Sequence, residues 1–278
     1  MIKVGLTTWT DHPDLVDGKK QKLTLPEYTD FFSVVEIDSS FYAIPKVEWV
    51  QKWAAEVPRD FKFIVKANFE MTKTPQRGKD PLNAEQRQQL FQTFKTAIQP
   101  LVESGQLLTI LFQFPPSFLC NYENIQYLRL VRRELVDYPL AIEFRNATWQ
   151  APEIGQDTDN FLKSLHITEV VVDEPHATLN GMKINPVVTN PALVYVRLHG
   201  QNEREWAKGT RERYRYRYSQ PELEKLAKLI LGLEKRAAKV VVIFNNNTGK
   251  DAAANAQQLE EILKLKKPKR IAKQLNLF

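Results

Sequence analysis

Acids and cations end many of the strand-like segments of this sequence, so the first reaction class to consider is acid–base chemistry on an anionic substrate. Glu143 is the best candidate for a base or nucleophile, and Asp173 or Glu36 could be its partner. His199 could carry protons near neutral pH, because imidazole titrates there. The side chains expected to bind the substrate are Lys66, Arg145, Arg197, Gln113 and Asn245.

The same side chains also have a purely structural interpretation. The acids could only neutralise the cations, since a buried charge without a partner costs roughly several kcal/mol, and His199 could hydrogen-bond the backbone at a strand end. Paired buried charges are nonetheless often no more stabilising than apolar packing, which favours binding or catalysis. Two inward carboxylates also fit glycoside hydrolysis, but the number of cations disfavours a neutral sugar.

A metal site is only weakly indicated. Cys120 is the one cysteine, and no two of the 4 histidines have the spacing of metal ligands on a helix. A carboxylate-bound Mg²⁺ or Mn²⁺ at Glu36, Asp38 or Asp173 stays open. No cofactor motif is evident.

Apolar runs of strand length, rich in β-branched residues, must position these groups. The runs are Ile2–Thr8, Val34–Asp38, Phe61–Lys66, Leu108–Phe114, Leu140–Arg145, Glu169–Asp173, Val194–His199 and Val240–Asn245. Helical patterns follow most of them, with capping-box spacing at Ser219 and Asn83. This alternation predicts an α/β protein with a single (β/α)₈ TIM-like barrel. An open doubly wound sheet would usually carry a Gly-rich phosphate loop, and the sequence has none.

Alternation along each strand predicts which side chains face the barrel interior. It places the polar groups named above inside, opposite apolar neighbours that pack on helices. In strand six it places Glu169, Val171 and Asp173 inside. Polar inward residues come late in their strands, which predicts a functional mouth at the carboxyl ends. Between strands six and seven, the segment Glu174–Pro191 is expected to be irregular.

The segment after strand seven is basic and aromatic. Arg213 to Tyr218 alternates Arg with Tyr, which in extended form would put arginines on one face and tyrosines on the other. Arg213 and Arg215 could therefore bind phosphates while aromatic rings stack on bases, or the tyrosines could pack down as a lid under solvated arginines. Trp9 and Tyr42 could likewise be stacking surface or core.

The last residues form a separate basic tail. Net charge is +6, and the run from Lys264 to Lys273 alone contains six cations and no acid. We therefore divide the chain into a barrel domain, 1–263, and a tail, 264–278, which is either simply solvated or attracted to a polyanion. The tail ends in a motif similar to those that bind the bacterial sliding clamp, although it could also dock on the barrel; its contact residues would be Gln274, Leu275, Leu277 and Phe278.

The sequence indicates a cytoplasmic protein without membrane contact. Its beginning does not have the form of a signal peptide. No apolar run approaches the roughly 20 residues that span a bilayer. A single cysteine rules out an internal disulfide.

Motifs along nearly the whole chain carry a family resemblance. They are Val35 to Tyr42, Phe61 to Lys66, Phe112 to Pro116, Ile142 to Trp149, Tyr195 to Gly200 and Phe244 to Asn246. In this combination the chain resembles the YecE-like family, the proteins with domain of unknown function 72. The resemblance implies a TIM-like barrel and no known reaction. Thr72-Lys73 departs from the Thr-His expected after strand three, so a histidine role there is excluded.

Two functional hypotheses follow. The first is a hydrolase-like enzyme that acts on an anionic, phosphate-bearing substrate, either a small molecule or, preferably, a nucleic acid. The alternative is a non-catalytic binding module associated with DNA or the sliding clamp. Turnover distinguishes them, because salt-sensitive DNA binding would fit both.

Overall fold

The computed structural model describes residues 1–12, 15, 22–78, 80–175, 181–206 and 208–266. The clamp-like residues at the end of the tail lie outside the described residues. In the described ranges, no helix combines the length and apolar character that a bilayer crossing requires.

Eight parallel strands close into a barrel in sequence order, so the predicted fold class is confirmed. The strands are β1 (Ile2–Thr7), β2 (Val34–Ile37), β3 (Lys62–Lys66), β4 (Leu107–Gln113), β5 (Leu140–Glu143), β6 (Ile167–Asp173), β7 (Val194–Leu198) and β8 (Val240–Phe244). The barrel closes where β1 pairs with β8, from Ile2 opposite Val240 to Leu6 opposite Phe244.

Helices surround the barrel and connect successive strands. They are α1 (Leu25–Tyr28), α2 (Val47–Glu56), α3 (Ala84–Glu103), α4 (Tyr122–Glu134), α5 (Gly155–Ser164), α6 (Glu203–Trp206), α7 (Gln220–Glu234) and α8 (Ala252–Ile262). Both predicted capping boxes form, Ser219 with Glu222 and Asn83 with Gln86. Each box pairs backbone N–H groups that the first helical turn leaves without a partner.

The core has two layers separated by the strands. Between strands and helices lies a large cluster that includes Val35, Phe63, Ile142 and Val196. Inside the barrel lies a smaller cluster: Val34, Ile64, Leu108, Leu111, Ala141, Val170, Val172, Leu193, Tyr195, Val241 and Ile243. Because both faces of each strand are buried, the strands are almost continuously apolar. The inner cluster forms a packed base beneath the polar mouth.

Some local features have no clear signal in the sequence. Helix α5 shows no clear helical pattern of apolar residues, because its ten residues are mainly polar and only its Thr158, Asp159 and Leu162 are buried. Packing against β6 therefore stabilises this helix more than its own hydrophobic pattern does. Strand β6 begins at Ile167, two residues earlier than expected. The described residues between β6 and β7 form neither helix nor strand, as the sequence predicted.

Candidate functional site

Charged side chains converge inside the barrel at the carboxyl ends of the strands. We call Glu36, Glu143 and Arg197 the inner network, and we call Arg145, Glu174, His199 and Arg213 the outer group. Strands β2, β5 and β7 supply the inner network. In each strand the charged residue is the next inward-facing position after a small or apolar one, so it lies just above the packed interior. All three side chains of the inner network are fully buried.

Arg197 is the centre of the inner network. Its Nε and Nη2 donate to the two carboxylate oxygens of Glu36 at 2.9 and 2.7 Å. Its Nη1 donates to Glu143 Oε2 at 2.5 Å and to Gln113 Oε1 at 3.0 Å. Tyr195 Oη donates to Glu36 as well. Every nitrogen of the guanidinium therefore has an acceptor, as a buried charge requires.

Arg145 joins the inner network to the outer group. Its Nε donates to Glu143 Oε1 at 2.5 Å, and its Nη1 donates to Glu174 Oε2 at 2.6 Å. The two oxygens of Glu143 are thus occupied by two different arginines. Burial alone would raise the pKa of Glu143, but Arg145 and Arg197 hold it well below its usual range. A carboxylate that stays ionised in this way is a weak proton acceptor, so Glu143 is better suited to hold the arginines in place than to act as base.

Glu174 is the site residue that sequence reasoning missed. It is 2% exposed, contacts Arg145, and accepts the backbone N–H of Met182 at 3.0 Å. Burial raises the pKa of Glu174 to about 7, although Arg145 opposes this shift. A carboxyl group with a pKa near neutral pH is suited to give and take a proton there.

The predicted orientation of strand six was wrong. Val170 and Val172 belong to the interior cluster and Val171 to the outer one, so the next inward side chain is Glu174 and not Asp173. Asp173 instead accepts hydrogen bonds from Tyr218 Oη at 2.6 Å and Gln201 Nε2 at 2.7 Å. Both faces of β6 are buried, so its run of valines did not show which face is interior.

His199 is fully buried next to Arg145. Arg145 Nη2 lies 3.0 Å from His199 Nε2, and Asn245 Nδ2 lies 2.9 Å from His199 Nδ1. Both neighbouring nitrogens are hydrogen-bond donors, so a doubly protonated, charged imidazole is disfavoured between them. Burial and the charge of Arg145 hold the pKa of His199 well below its usual range. This environment disfavours the change of charge near neutral pH that the sequence suggested.

Lys66 lies beside the network rather than within it. Its Nζ donates to Asp38 Oδ1 at 2.7 Å and lies 4.6 Å from the centre of the Phe41 ring. Asp38 retains 28% side-chain exposure, so this pair borders the solvent. On the other side of the mouth, Asn245 accepts from Thr7 Oγ1 at 3.1 Å. Lys66 and Asn245 thus mark two edges of the site.

The segment after β7 covers the outer group with aromatic rings. It turns at Gly200, where φ is +91° and an added Cβ would lie 2.3 Å from Tyr216 Cβ. The Arg145 guanidinium carbon lies 5.4 Å from the Trp206 ring centre, and that of Arg213 lies 5.6 Å from Trp206 and 4.7 Å from Tyr214. Such cation–π contacts hold guanidinium groups in a defined orientation.

The Arg–Tyr alternation is not extended in its first part. Arg211–Tyr214 is a 3₁₀ helix, and this turn directs Arg213 onto Trp206. Arg213 Nε is buried without a hydrogen-bond partner in the described structure. Arg215 is exposed and pairs with Glu212 at 2.7 Å. The structure therefore brings Arg213 to the mouth but not Arg215.

The two aromatic candidates, Trp9 and Tyr42, have different surroundings. Trp9 packs edge-on against Trp53, with ring centres 5.4 Å apart, next to the outer core cluster. Tyr42 is 71% exposed and contacts Phe41. Trp9 is thus largely a packing residue, whereas Tyr42 offers an open ring near the Lys66 edge.

The acids considered for a divalent cation all have other partners. Glu36 pairs with Arg197, Asp38 pairs with Lys66, and Asp173 accepts from Tyr218 and Gln201. Among the described residues, no group of three or more His, Cys, Asp or Glu side chains is arranged to hold a metal ion.

Comparison with known proteins gives a consistent result. The family model described as "Protein of unknown function DUF72" matches residues 3–276. The UPF0759 protein YunF of Bacillus subtilis (strain 168) is 39% identical over 285 residues, which cover 100% of both chains.

Solved structures agree with the sequence matches. The crystal structure of the DUF72 family protein EF0366 from Enterococcus faecalis V583 superposes with a TM-score of 0.91 at 35% identity, covering 99% of this chain and 100% of that one. The DUF72 family protein TM1631 from Thermotoga maritima MSB8 gives a TM-score of 0.78 at 32% identity, covering 95% and 99%. The chain therefore belongs to the DUF72 family of TIM-barrel proteins, as the motifs at its strand ends suggested.

Proposed function

We propose that the barrel mouth performs hydrolase-like acid–base chemistry on an anionic, phosphate-bearing substrate, with nucleic acid favoured. The observation that carries this proposal is the proximity of two side chains of the outer group, Glu174 and Arg213. Glu174 has a pKa of about 7, and Arg213, near enough for its charge to lower that pKa, has a buried Nε without a partner in the described structure. A proton donor and acceptor thus lies beside a cation that can still bind an anion.

In this mechanism a phosphate oxygen binds Arg213, and Arg145 holds Glu174 in place. Ionised Glu174 accepts a proton from the attacking water as its oxygen bonds to phosphorus. The bond from phosphorus to the leaving oxygen breaks, and Glu174 then gives its proton to that oxygen. Because Glu174 is only 2% exposed, the substrate reaches it only when neighbouring side chains move.

Nucleic acid is favoured by the surface around the mouth. Arg211, Arg215 and Arg217 are exposed on the segment after β7, and Tyr42 exposes its ring near Lys66. Guanidinium groups bind the phosphate backbone irrespective of sequence, and exposed rings stack on bases. A small phosphate ester would not use this wider surface, so comparing oligonucleotides with nucleotides tests the choice.

The test is turnover of single-stranded and double-stranded oligonucleotides, nucleotides and bis(4-nitrophenyl) phosphate. Each reaction is run with EDTA, with Mg²⁺ and with Mn²⁺, because a divalent cation at the acids of the mouth belongs to the hypothesis. Glu174→Gln should lower turnover by about 10²–10⁴-fold, the usual contribution of a general acid or base. The exposed Glu224→Gln is the matched control and should retain wild-type activity.

Two outcomes would contradict the proposal. One is the absence of turnover by the wild-type chain across the panel. The other is equal activity of wild type and Glu174→Gln, with both proteins folded by circular dichroism. A fall in activity that accompanies a large fall in melting temperature would assign Glu174 a structural role.

A second candidate function rests on the terminal motif, Gln274-Leu275-Asn276-Leu277-Phe278. We propose that this segment attaches the barrel to a bacterial sliding clamp, with the basic residues before it as a tether. Deleting 274–278 should abolish capture by a purified clamp and leave turnover unchanged. Capture that survives the deletion, or that never occurs with the intact chain, would exclude the idea.

A further inference from the structure

The amino-terminal end of the barrel carries lysines where apolar side chains are usual. Lys3 and Lys62 have the inward parity of β1 and β3, and Lys239 directly precedes β8. The interior of such barrels is normally filled by layers of branched apolar residues. Three cations at this end therefore call for a physical explanation other than core packing.

These lysines surround a cavity that opens at the base of the barrel. The cavity has a volume of 210 Å³, and Lys3, Lys62 and Lys239 belong to its lining. The apolar lining residues are Met1, Leu108, Leu193, Val240 and Val241. A neighbouring cavity of 240 Å³ shares Lys62, Leu108, Leu193 and Lys239 with it. Each is smaller than a typical pocket for a drug-sized ligand, so a short ligand fits best.

The charges around this cavity are mostly positive. Lys3 Nζ donates to Ser33 Oγ at 3.0 Å and to the Asp60 carbonyl at 3.2 Å, and Lys62 Nζ donates to the Gly105 carbonyl at 2.5 Å. Asp60 is the acidic residue among the described lining residues. The Met1 ammonium lies 3.0 Å from Glu234 and is thereby neutralised. Three lysines facing one aspartate leave an excess of two positive charges.

The ammonium groups also oppose one another. Burial and the charges of its lysine neighbours lower the pKa of Lys3, with Asp60 acting against them. Burial and Lys239 lower the pKa of Lys62 in the same way. An anion at the rim would relieve this repulsion, and an apolar body would cover the exposed parts of the leucines and valines.

We propose that the amino-terminal end of the barrel is a second binding site, for a small organic anion with an apolar body, such as a short- or medium-chain carboxylate. The carboxylate would lie among the three lysine ammonium groups, and the alkyl chain would enter the cavity. This site is at the opposite end of the barrel from the mouth and does not depend on the function proposed there.

Calorimetric titration of the full chain with sodium butyrate, hexanoate and octanoate tests the proposal. Affinity should rise with chain length, because each buried CH₂ contributes about 0.8 kcal/mol, until the cavity is full. Octanol, which lacks the charge, and acetate, which lacks the chain, should each bind at least tenfold more weakly than octanoate. Equal affinity for octanoate and octanol would overturn the electrostatic part of the proposal.

Substitutions assign the binding to this cavity. Lys62→Met with Lys239→Met should weaken octanoate binding at least tenfold, because both changes keep side-chain length and remove charge. Lys52→Met is the matched control on α2, where the lysine is 70% exposed and pairs with Glu56. If the double variant does not fold, the exposed Lys239→Met alone supplies the test. Unchanged affinity in the folded lysine variants, or no octanoate binding to wild type at millimolar concentrations, would refute the site.

Discussion

The inner network and the outer group of the mouth meet where Arg145 of the outer group donates to Glu143 of the inner network. The two groups differ in how completely their polar atoms are hydrogen-bonded. In the inner network each guanidinium nitrogen of Arg197 and each carboxylate oxygen of Glu36 and Glu143 has a partner. In the outer group, Glu174 has a pKa of about 7 and Arg213 Nε lacks a partner in the described structure.

This difference separates side chains that hold others in position from side chains that can react with a substrate. A buried ion pair with all its bonds satisfied keeps its side chains fixed, which suits a scaffold. A group that titrates near neutral pH beside an incompletely bonded cation can exchange protons and bind an anion. We infer that the inner network positions Arg145, which in turn holds Glu174.

The largest effect is expected at the centre of the inner network. Arg197→Met leaves Glu36 and Glu143 buried with fewer compensating partners, so the free energy of unfolding should fall by about 3–5 kcal/mol. Urea denaturation followed by circular dichroism measures it. Combining Arg197→Met with Glu36→Gln and Glu143→Gln should restore part of the loss. A loss below about 1 kcal/mol in the single variant would show that the network contributes little to the scaffold.

The next effect is a pH dependence at Glu174. Its folded-state pKa of about 7 exceeds the ordinary 4.5, so the folded chain binds more protons than the unfolded chain between these values. Its contribution to stability is therefore present below pH 4.5 and is lost as pH rises to about 7. The unfolding free energy of wild type minus that of Glu174→Gln should fall by roughly 3 kcal/mol over this range.

A second buried acid outside the mouth, Glu169, also titrates and must be separated from Glu174. Burial and the nearby Asp159 raise the pKa of Glu169 to about 8, so wild type keeps a pH dependence of its own. Because Glu169 is present in both proteins, the difference between wild type and Glu174→Gln isolates Glu174. A difference that does not change with pH would contradict the titration of Glu174 in this range.

A smaller effect is expected at Asp173, which the structure excludes from the mouth. Tyr218 Oη donates to Asp173 at 2.6 Å and accepts the Gly200 N–H at 2.8 Å. Tyr218→Phe removes both bonds and should lower the unfolding free energy by about 1–3 kcal/mol. Turnover per folded molecule should not change. If turnover falls by tenfold or more while stability is retained, Asp173 belongs to the reactive site after all.

The smallest effect is expected on substrate binding by the segment after β7. Arg213→Gln should raise the KM for a phosphate-bearing substrate about tenfold, which corresponds to about 1.4 kcal/mol. Arg133→Gln is the matched control, because Arg133 is exposed on α4 and does not belong to the segment after β7. Steady-state kinetics at one fixed ionic strength compares the two. Equal effects would indicate a general attraction of charge rather than a specific contact of Arg213.

The sequence by itself determined the barrel and most of the residues at its mouth. Eight apolar runs with helical connections predict parallel strands buried on both faces. In β2, β5 and β7 a polar residue alternates with apolar ones, and this alternation alone assigns Glu36, Glu143 and Arg197 to the interior. The physical reason is that alternation distinguishes two faces only where they differ in polarity.

Tertiary structure decided what alternation could not. The valines of β6 are buried on both faces, so only the closed barrel shows that Glu174 points inward and Asp173 does not. The pKa values of Glu174 and His199 depend on burial and on Arg145, a residue distant from both in the chain. The 3₁₀ turn that brings Arg213 onto Trp206 likewise depends on packing. These properties arise from distances between strands, which no local pattern of residues records.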